Sequence, residues 1–187
     1  SAHPAAGFPA RCALRQALHG KQGLKPTGRL TRLTRYTRLA GHLAAAVALT
    51  ALVIPFVPSA RRQQLKQGWS ARLLKILGIR LKADAPFVGP GSLIVANHVS
   101  WLDIFVINAA FPAAFVSKAE VRQWPLAGWL AEKNETVFLR RGSRGHARIV
   151  NGEIAALLSR GRHVALFPEG TTTDGSHVLG FHAALLQ

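Results

Sequence analysis

Ser92-Leu93-Ile94-Val95-Ala96-Asn97-His98-Val99-Ser100-Trp101-Leu102-Asp103-Ile104-Phe105-Val106-Ile107 passes from a short apolar run, through a polar loop, into a second apolar segment. Residues 93–96 read as a buried strand. Ser100 reads as the cap of a helix through residues 101–107. The same alternation continues downstream. Residues 114–116, 136–139 and 164–167 are strand-like, residues 126–131 helical. Residues 144–160 form an amphipathic helix, with Ile149, Ile154, Leu157 and Leu158 expected inward. Strands alternating with helices predict an α/β fold, a layered, mostly parallel sheet flanked by helices. Chemistry in such a fold belongs in the loops that leave the strands.

Upstream the composition changes. The chain has 187 residues, is 49% hydrophobic and carries a formal charge of +16, so it is long and apolar enough to bury a core. No acidic residue precedes Asp84. A basic, acid-free segment is drawn to polyanions, whether phosphate backbones or anionic lipid headgroups. Residues 1–28 read as a flexible basic N-terminus, with an organelle transit peptide as the alternative. Arg29, Arg32, Arg35 and Arg38 form one drifting helical stripe, and Leu30, Leu33, Tyr36 and Leu39 the stripe beside it. Residues 39–58 lack Asp, Glu, Lys and Arg and contain His42. They match the length of a marginal membrane span, a re-entrant or interfacial hairpin, or a buried core helix. Residues 61–82 read as a second basic amphipathic helix ended by Gly78, with Trp69 in the headgroup zone. Residues 29–82 are thus a membrane-associated helical region and residues 83–187 the α/β domain, with a boundary in the Pro/Gly-rich turn of residues 83–91.

The single Cys, Cys12, excludes an intrachain disulfide and reads as incidental. The absence of Met and the apolar run at residues 183–187 lead us to expect a processed form or a fragment.

Three polar sites each follow a strand: Asn97 to Asp103, Arg140-Arg141, and Pro168 to Gly175. A His is a proton acceptor near neutral pH, and a carboxylate on its second ring nitrogen fixes the tautomer. His98 and Asp103 are spaced so that a turn into a helix brings them together. The chain has no Gly-x-Ser-x-Gly, no metal-ligand spacing and no Gly-rich phosphate loop. The simplest chemistry left is a general base acting directly on a substrate hydroxyl. Arg140, Arg141 and Arg144 suit an anion. Glu169 either holds substrate hydroxyls or anchors its loop.

Together these sites resemble the lysophosphatidic acid acyltransferase family over residues 69–187. Asn97-His98 through Asp103 resembles its His-x4-Asp motif. Lys118, Pro125 and Gly128 with Val137 to Arg141 resemble its second motif, and Phe167-Pro168-Glu169-Gly170-Thr171 its third. The resemblance implies an enzyme of membrane phospholipid biosynthesis. His98 would deprotonate a lysophospholipid hydroxyl, Asp103 would orient His98, and the acyl group would come from acyl-CoA or acyl carrier protein. Lys118 and Arg141 match positions that hold the acceptor's phosphate, and Glu169, Gly170 and Thr171 match its acceptor-binding turn. No metal, cofactor or nucleic acid is implied. The partners implied are the donor, the lysophospholipid and an anionic membrane surface, at the cytoplasmic face of the inner membrane.

Three departures accompany the match. Thr172 stands where the third motif usually has Arg. Asn134-Glu135 stand where the second has Gly. The fourth motif is missing, so the C-terminal part of the fold is expected to be absent and activity to depend on it. Lysophosphatidic acid is the leading acceptor, and another lysolipid such as lyso-ornithine lipid is the alternative. A catalytically inactive membrane-surface binding protein, and then a nucleic-acid binder, are the readings from other classes.

Overall fold

The computed structural model describes residues 28–83, 88–140 and 144–181. Cys12, residues 1–27, Arg141 and residues 182–187 lie outside them. Helix α1 (Arg29–Leu52) runs through a 3-10 turn at Ile54–Phe56 into α2 (Ser59–Leu77). Then come β1 (Leu93–Val95), α3 (Asp103–Ala110), β2 (Ala113–Lys118), a 3-10 turn at Ala119–Gln123, α4 (Ala127–Lys133), β3 (Val137–Leu139), α5 (Arg144–Ser159) and β4 (His163–Leu166). Among the described residues four strands form one sheet in the order β1-β4-β2-β3, and each of their pairings is parallel.

Both faces of the sheet are covered over the central strands β4 and β2, which therefore read as continuous apolar runs, while Leu93 and Val95 of the edge strand β1 are exposed. Side chains alternate along β2. Ala114 and Val116 pack with Val137, Val164 and the α5 residues Val150, Ile154, Leu157 and Leu158. Ala113 and Phe115 pack with Ala165, Ile94, Phe167 and the α3 residues Ile104 and Ile107. Ile149, expected inward on α5, is 58% exposed, and Val150 at 1% takes its place. The spacing 150, 154, 157, 158 is a true helical stripe, whereas 149 lies one position off it.

Helix α2 lies on α3 and closes that face. Leu73, Leu74 and Ser70 are buried there. Gln67 Nε2 donates to the carbonyls of Ala109 and Ala110, and Lys66 Nζ to that of Ala113 at 2.8 Å. Gln67 thus satisfies carbonyls that the end of α3 leaves open, and Lys66 one at the start of β2. Burial pushes the Lys66 ammonium down to about 8, opposed by the Glu135 charge and assisted by Arg162. The unfolded chain therefore holds the Lys66 proton to higher pH than the folded chain. Stability should rise as pH climbs from about 8 towards 10.5, and Lys66→Met should flatten that rise; denaturation midpoints at neutral and alkaline pH measure it.

The stretches expected as a basic helix and a separate apolar segment form one continuous helix, α1. Arg29–Phe56 is long and apolar enough to cross a membrane, and only 11% of its apolar window is buried in the protein, which disfavours the core-helix reading. Leu30, Leu33 and Tyr36 are exposed. Gly78 ends α2 with φ +76, as its place after the last apolar residue predicts. Trp69 is half-buried: its ring stacks on His42 at 4.5 Å and tilts against Phe105.

One departure from the family pattern, Glu135, and one match to it, Gly128, acquire physical content here. Glu135 adopts φ +62, the left-handed conformation that costs a residue with a Cβ about 1–2 kcal/mol. That is the conformation a glycine takes freely. The Glu135 carboxylate pairs with both terminal nitrogens of Arg162, just before β4, and this contact holds the turn. Gly128 is buried, and a Cβ there would fall 2.2 Å from the Arg122 carbonyl oxygen, so no side chain fits.

Candidate active site

Strands β1 and β4 are parallel neighbours, with Val95 opposite Leu166, so the loops that leave them emerge side by side at one sheet edge. The first carries His98 and the second Glu169. The Ala96 amide still donates to Leu166 O, which carries the pairing to the brink of the site.

His98 is held on all sides. Its amide donates to Glu169 Oε1 at 3.1 Å, and its carbonyl accepts the Thr173 amide at 2.8 Å. The ring stacks on Phe167, with centroids 4.1 Å apart and planes 17° apart. Nδ1 donates to Asp103 Oδ2 at 2.9 Å. An ionised carboxylate only accepts, so the proton of a neutral His98 sits on Nδ1 and Nε2 carries the free lone pair. The side chain is 19% exposed, against 7% for Asp103.

Asp103 is the hub. Its Oδ2 also accepts the amides of Val99 at 2.7 Å and Ser100 at 2.9 Å. Ser100 was expected to cap the helix. Instead α3 starts two residues later than expected, at Asp103, and Asp103 reaches back over the turn while Ser100 Oγ accepts the Leu102 amide. The loop therefore gathers three donors on one carboxylate oxygen. Charge-assisted bonds of this kind are short and strong.

Glu169 is 3% exposed, and its two oxygens accept main-chain amides of different loops, His98 on Oε1 and Leu179 on Oε2. Of the two sequence readings, the geometry displays the loop anchor. Gly170 follows at φ +65, and its amide closes a turn onto Phe167 O. That left-handed position favours glycine. Thr171 and Thr172 are exposed beyond it.

Lys118 ends β2 and is exposed. It lies at the same edge of the sheet as His98, two strands across in the order β1-β4-β2-β3. Arg140 follows β3 and is exposed. The structure thus brings His98, Asp103 and Glu169 into one bonded cluster, with Gly170 and Thr171 beside it and Lys118 farther along the edge. Sequence reasoning assigned no role to Phe167, the wall behind the imidazole, or to Thr173, the clasp on its backbone. Only the position of Phe167 inside the Phe-Pro-Glu-Gly stretch hinted at the first.

Such a cluster can take a proton at Nε2 from a hydroxyl and keep the resulting imidazolium paired with Asp103.

The chain is 46% identical over 164 residues to a lyso-ornithine lipid O-acyltransferase of Pseudomonas aeruginosa, covering 84% of this chain and 63% of that protein. It is 36% identical to a 1-acyl-sn-glycerol-3-phosphate acyltransferase of Neisseria meningitidis, covering 84% of this chain and 62% of that protein. The chain spans less than two thirds of the length of these relatives. The crystal structure of the 1-acyl-sn-glycerophosphate (LPA) acyltransferase PlsC from Thermotoga maritima superposes with a TM-score of 0.57 at 21% identity, covering 83% of this chain and 69% of that one, a likeness of fold. The acyltransferase family model matches residues 79–187, and with it the chain belongs to the acyltransferase family.

Proposed function

We propose that the protein transfers a fatty acyl group from a thioester, acyl-CoA or acyl carrier protein, to the hydroxyl of a lysolipid at a membrane surface. The observation that carries this reading is the His98 Nδ1–Asp103 Oδ2 bond, which leaves Nε2 as the acceptor. Nε2 takes the hydroxyl proton as the oxygen attacks the thioester carbonyl. The C–S bond then breaks, and the imidazolium returns the proton to the departing thiolate. No acyl-enzyme is needed. Residues 29–82 hold this chemistry at the membrane, at its cytoplasmic face.

Two acceptors compete, and we favour the lyso-ornithine lipid over lysophosphatidic acid. Thr172 takes the place of a guanidinium that would meet a phosphate. Two residues on, Asp174 is exposed, and the Ser176 hydroxyl and then its amide, both donating to Oδ1, hold its carboxyl below its usual range. A carboxylate there repels phosphate and suits the ammonium of an ornithine headgroup. The 46% identity to a lyso-ornithine lipid O-acyltransferase supports the same choice. Lysophosphatidic acid remains the second reading because Lys118 and Arg140 stand exposed at the ends of adjacent strands. In either case Lys118, Gly170 and Thr171, with Arg141 by its place in the family motif, supply the acceptor side of the site, and Glu169 holds the loop that carries Gly170 and Thr171.

The test is thiol release from acyl-CoA, and from acyl carrier protein, by the full-length protein in vesicles with each lysolipid. Release with the lyso-ornithine lipid and little with lysophosphatidic acid is expected. The opposite preference would establish the second reading. No release with any acceptor or donor would favour an inactive surface-binding protein. Thr172→Arg should shift the acceptor ratio towards lysophosphatidic acid by roughly tenfold, the effect of one charge-assisted contact; an unchanged ratio would remove Thr172 from the argument.

A further inference from the structure

Helices α1 and α2 meet closely at one level and part at another. They meet where the Trp69 indole Nε1 donates to His42 O at 3.2 Å and His42 Nε2 lies 3.0 Å from Trp69 O. Towards the start of α1 they leave a groove of about 300 Å³ lined by Arg32, Arg35, Tyr36 and Leu39 of α1 and Ile76 and Leu77 of α2.

The four α1 residues are spaced i, i+3, i+4, i+7, so they form one face of the helix. The groove is amphipathic across its width: the two guanidiniums and the phenol of α1 face Ile76 and Leu77 of α2, and Leu39 lies at the inner end, nearest the His42–Trp69 contact. Neither helix contains Asp or Glu, and Arg32 and Arg35 bring two positive charges to the groove. The planar guanidinium fork matches a phosphate oxygen pair. A volume of about 300 Å³ is at the lower end of ligand pockets, enough for a headgroup phosphate and part of one chain. The rest of such a molecule would remain in the bilayer beside the exposed apolar face of α1.

We propose that this groove is a seat for a single anionic phospholipid, its phosphate between Arg32 and Arg35 and one acyl chain along Leu39, Ile76 and Leu77. None of the lining residues belongs to the His98–Asp103–Glu169 cluster, so the seat is distinct from the site of acyl transfer. A lipid so placed bridges α1 to α2 above the His42–Trp69 contact and couples the set of the hairpin to the presence of anionic lipid.

A discrete seat differs from diffuse attraction between a basic helix and a charged surface. Diffuse attraction depends on how many charges a variant has lost and is screened over ~3 Å at 1 M salt. A seat depends on which charges were lost. Arg32→Gln/Arg35→Gln and Arg29→Gln/Arg38→Gln remove equal charge from α1, the first pair inside the groove and the second outside it. The full chain is taken up in vesicles of phosphatidylcholine and phosphatidylglycerol, extracted into detergent at high salt, and its retained phospholipid identified by mass spectrometry. The expected result is phosphatidylglycerol retained by the parent and by the outer pair, and reduced about tenfold in the groove pair. Leu39→Trp keeps every charge but fills the inner end of the groove, and should lose the lipid as well. Equal retention by the two Arg pairs, undiminished retention by Leu39→Trp, or equal retention of phosphatidylcholine would each overturn the proposal. Circular dichroism of each variant separates loss of lipid from loss of the helices.

Discussion

His98→Ala is expected to lower acyl transfer by at least ~10²–10⁴-fold, the usual worth of a positioned general base. The loss should exceed that range if no other group takes the proton. The substitution also removes the ring that stacks on Phe167 and the donor that meets Asp103. It leaves the main-chain bonds to Glu169 and Thr173 in place, because they use the His98 backbone. The loop should therefore keep its course and vesicle binding its strength. The measurement is single-turnover thiol release beside vesicle sedimentation. Activity within tenfold of the parent would refute the proposed role of Nε2.

Asp103→Asn should come close to the same loss, roughly 10²–10⁴-fold, by a different route. Three donors converge on Oδ2: His98 Nδ1, Val99 N and Ser100 N. An amide offers one neutral oxygen, and its NH2 cannot accept. With the amide nitrogen towards His98, the imidazole proton moves to Nε2, the atom that must be free. With the oxygen towards His98, the imidazolium loses its counter-charge. This substitution, unlike His98→Ala, should also cost about 1–3 kcal/mol of stability, since buried donors are left without their charged acceptor. Denaturation and pH–rate profiles measured together distinguish the routes. A variant equally unstable but fully active would show that Asp103 serves the loop and not the base.

The site was legible in the primary structure only in part. The His98–Asp103 contact was, because the two residues lie five apart and the turn into α3 closes that distance locally. Strand positions were legible too, since a sheet covered by α3 on one face and α5 on the other demands apolar residues on both sides of its central strands. The start of α3 was misplaced because Ser100 is a good cap by type; the carboxylate of Asp103 outcompeted it for the amides of the loop. On α5, adjacent Ile149 and Val150 are chemically alike, but only Val150 shares the helical stripe of Ile154, Leu157 and Leu158 that packs on β3 and β4. The place of Trp69 was hidden because its partner His42 lies 27 residues away on another helix.

The order of strands and helices, the acid-free basic segment and the pairing of His98 with Asp103 follow from the amino-acid sequence alone. Each depends on periodicity, composition or a separation of a few residues, which act without reference to the rest of the chain. The wall and clasp around the imidazole do not. Glu169 is 71 residues from His98, and it reaches the His98 amide only because β4 aligns beside β1 with Leu93 opposite Val164. Phe167 and Thr173 arrive with the same loop. Parallel pairing between strands distant in sequence is a tertiary event, chosen by burial of the whole sheet, and it turns a His–Asp pair into an oriented base.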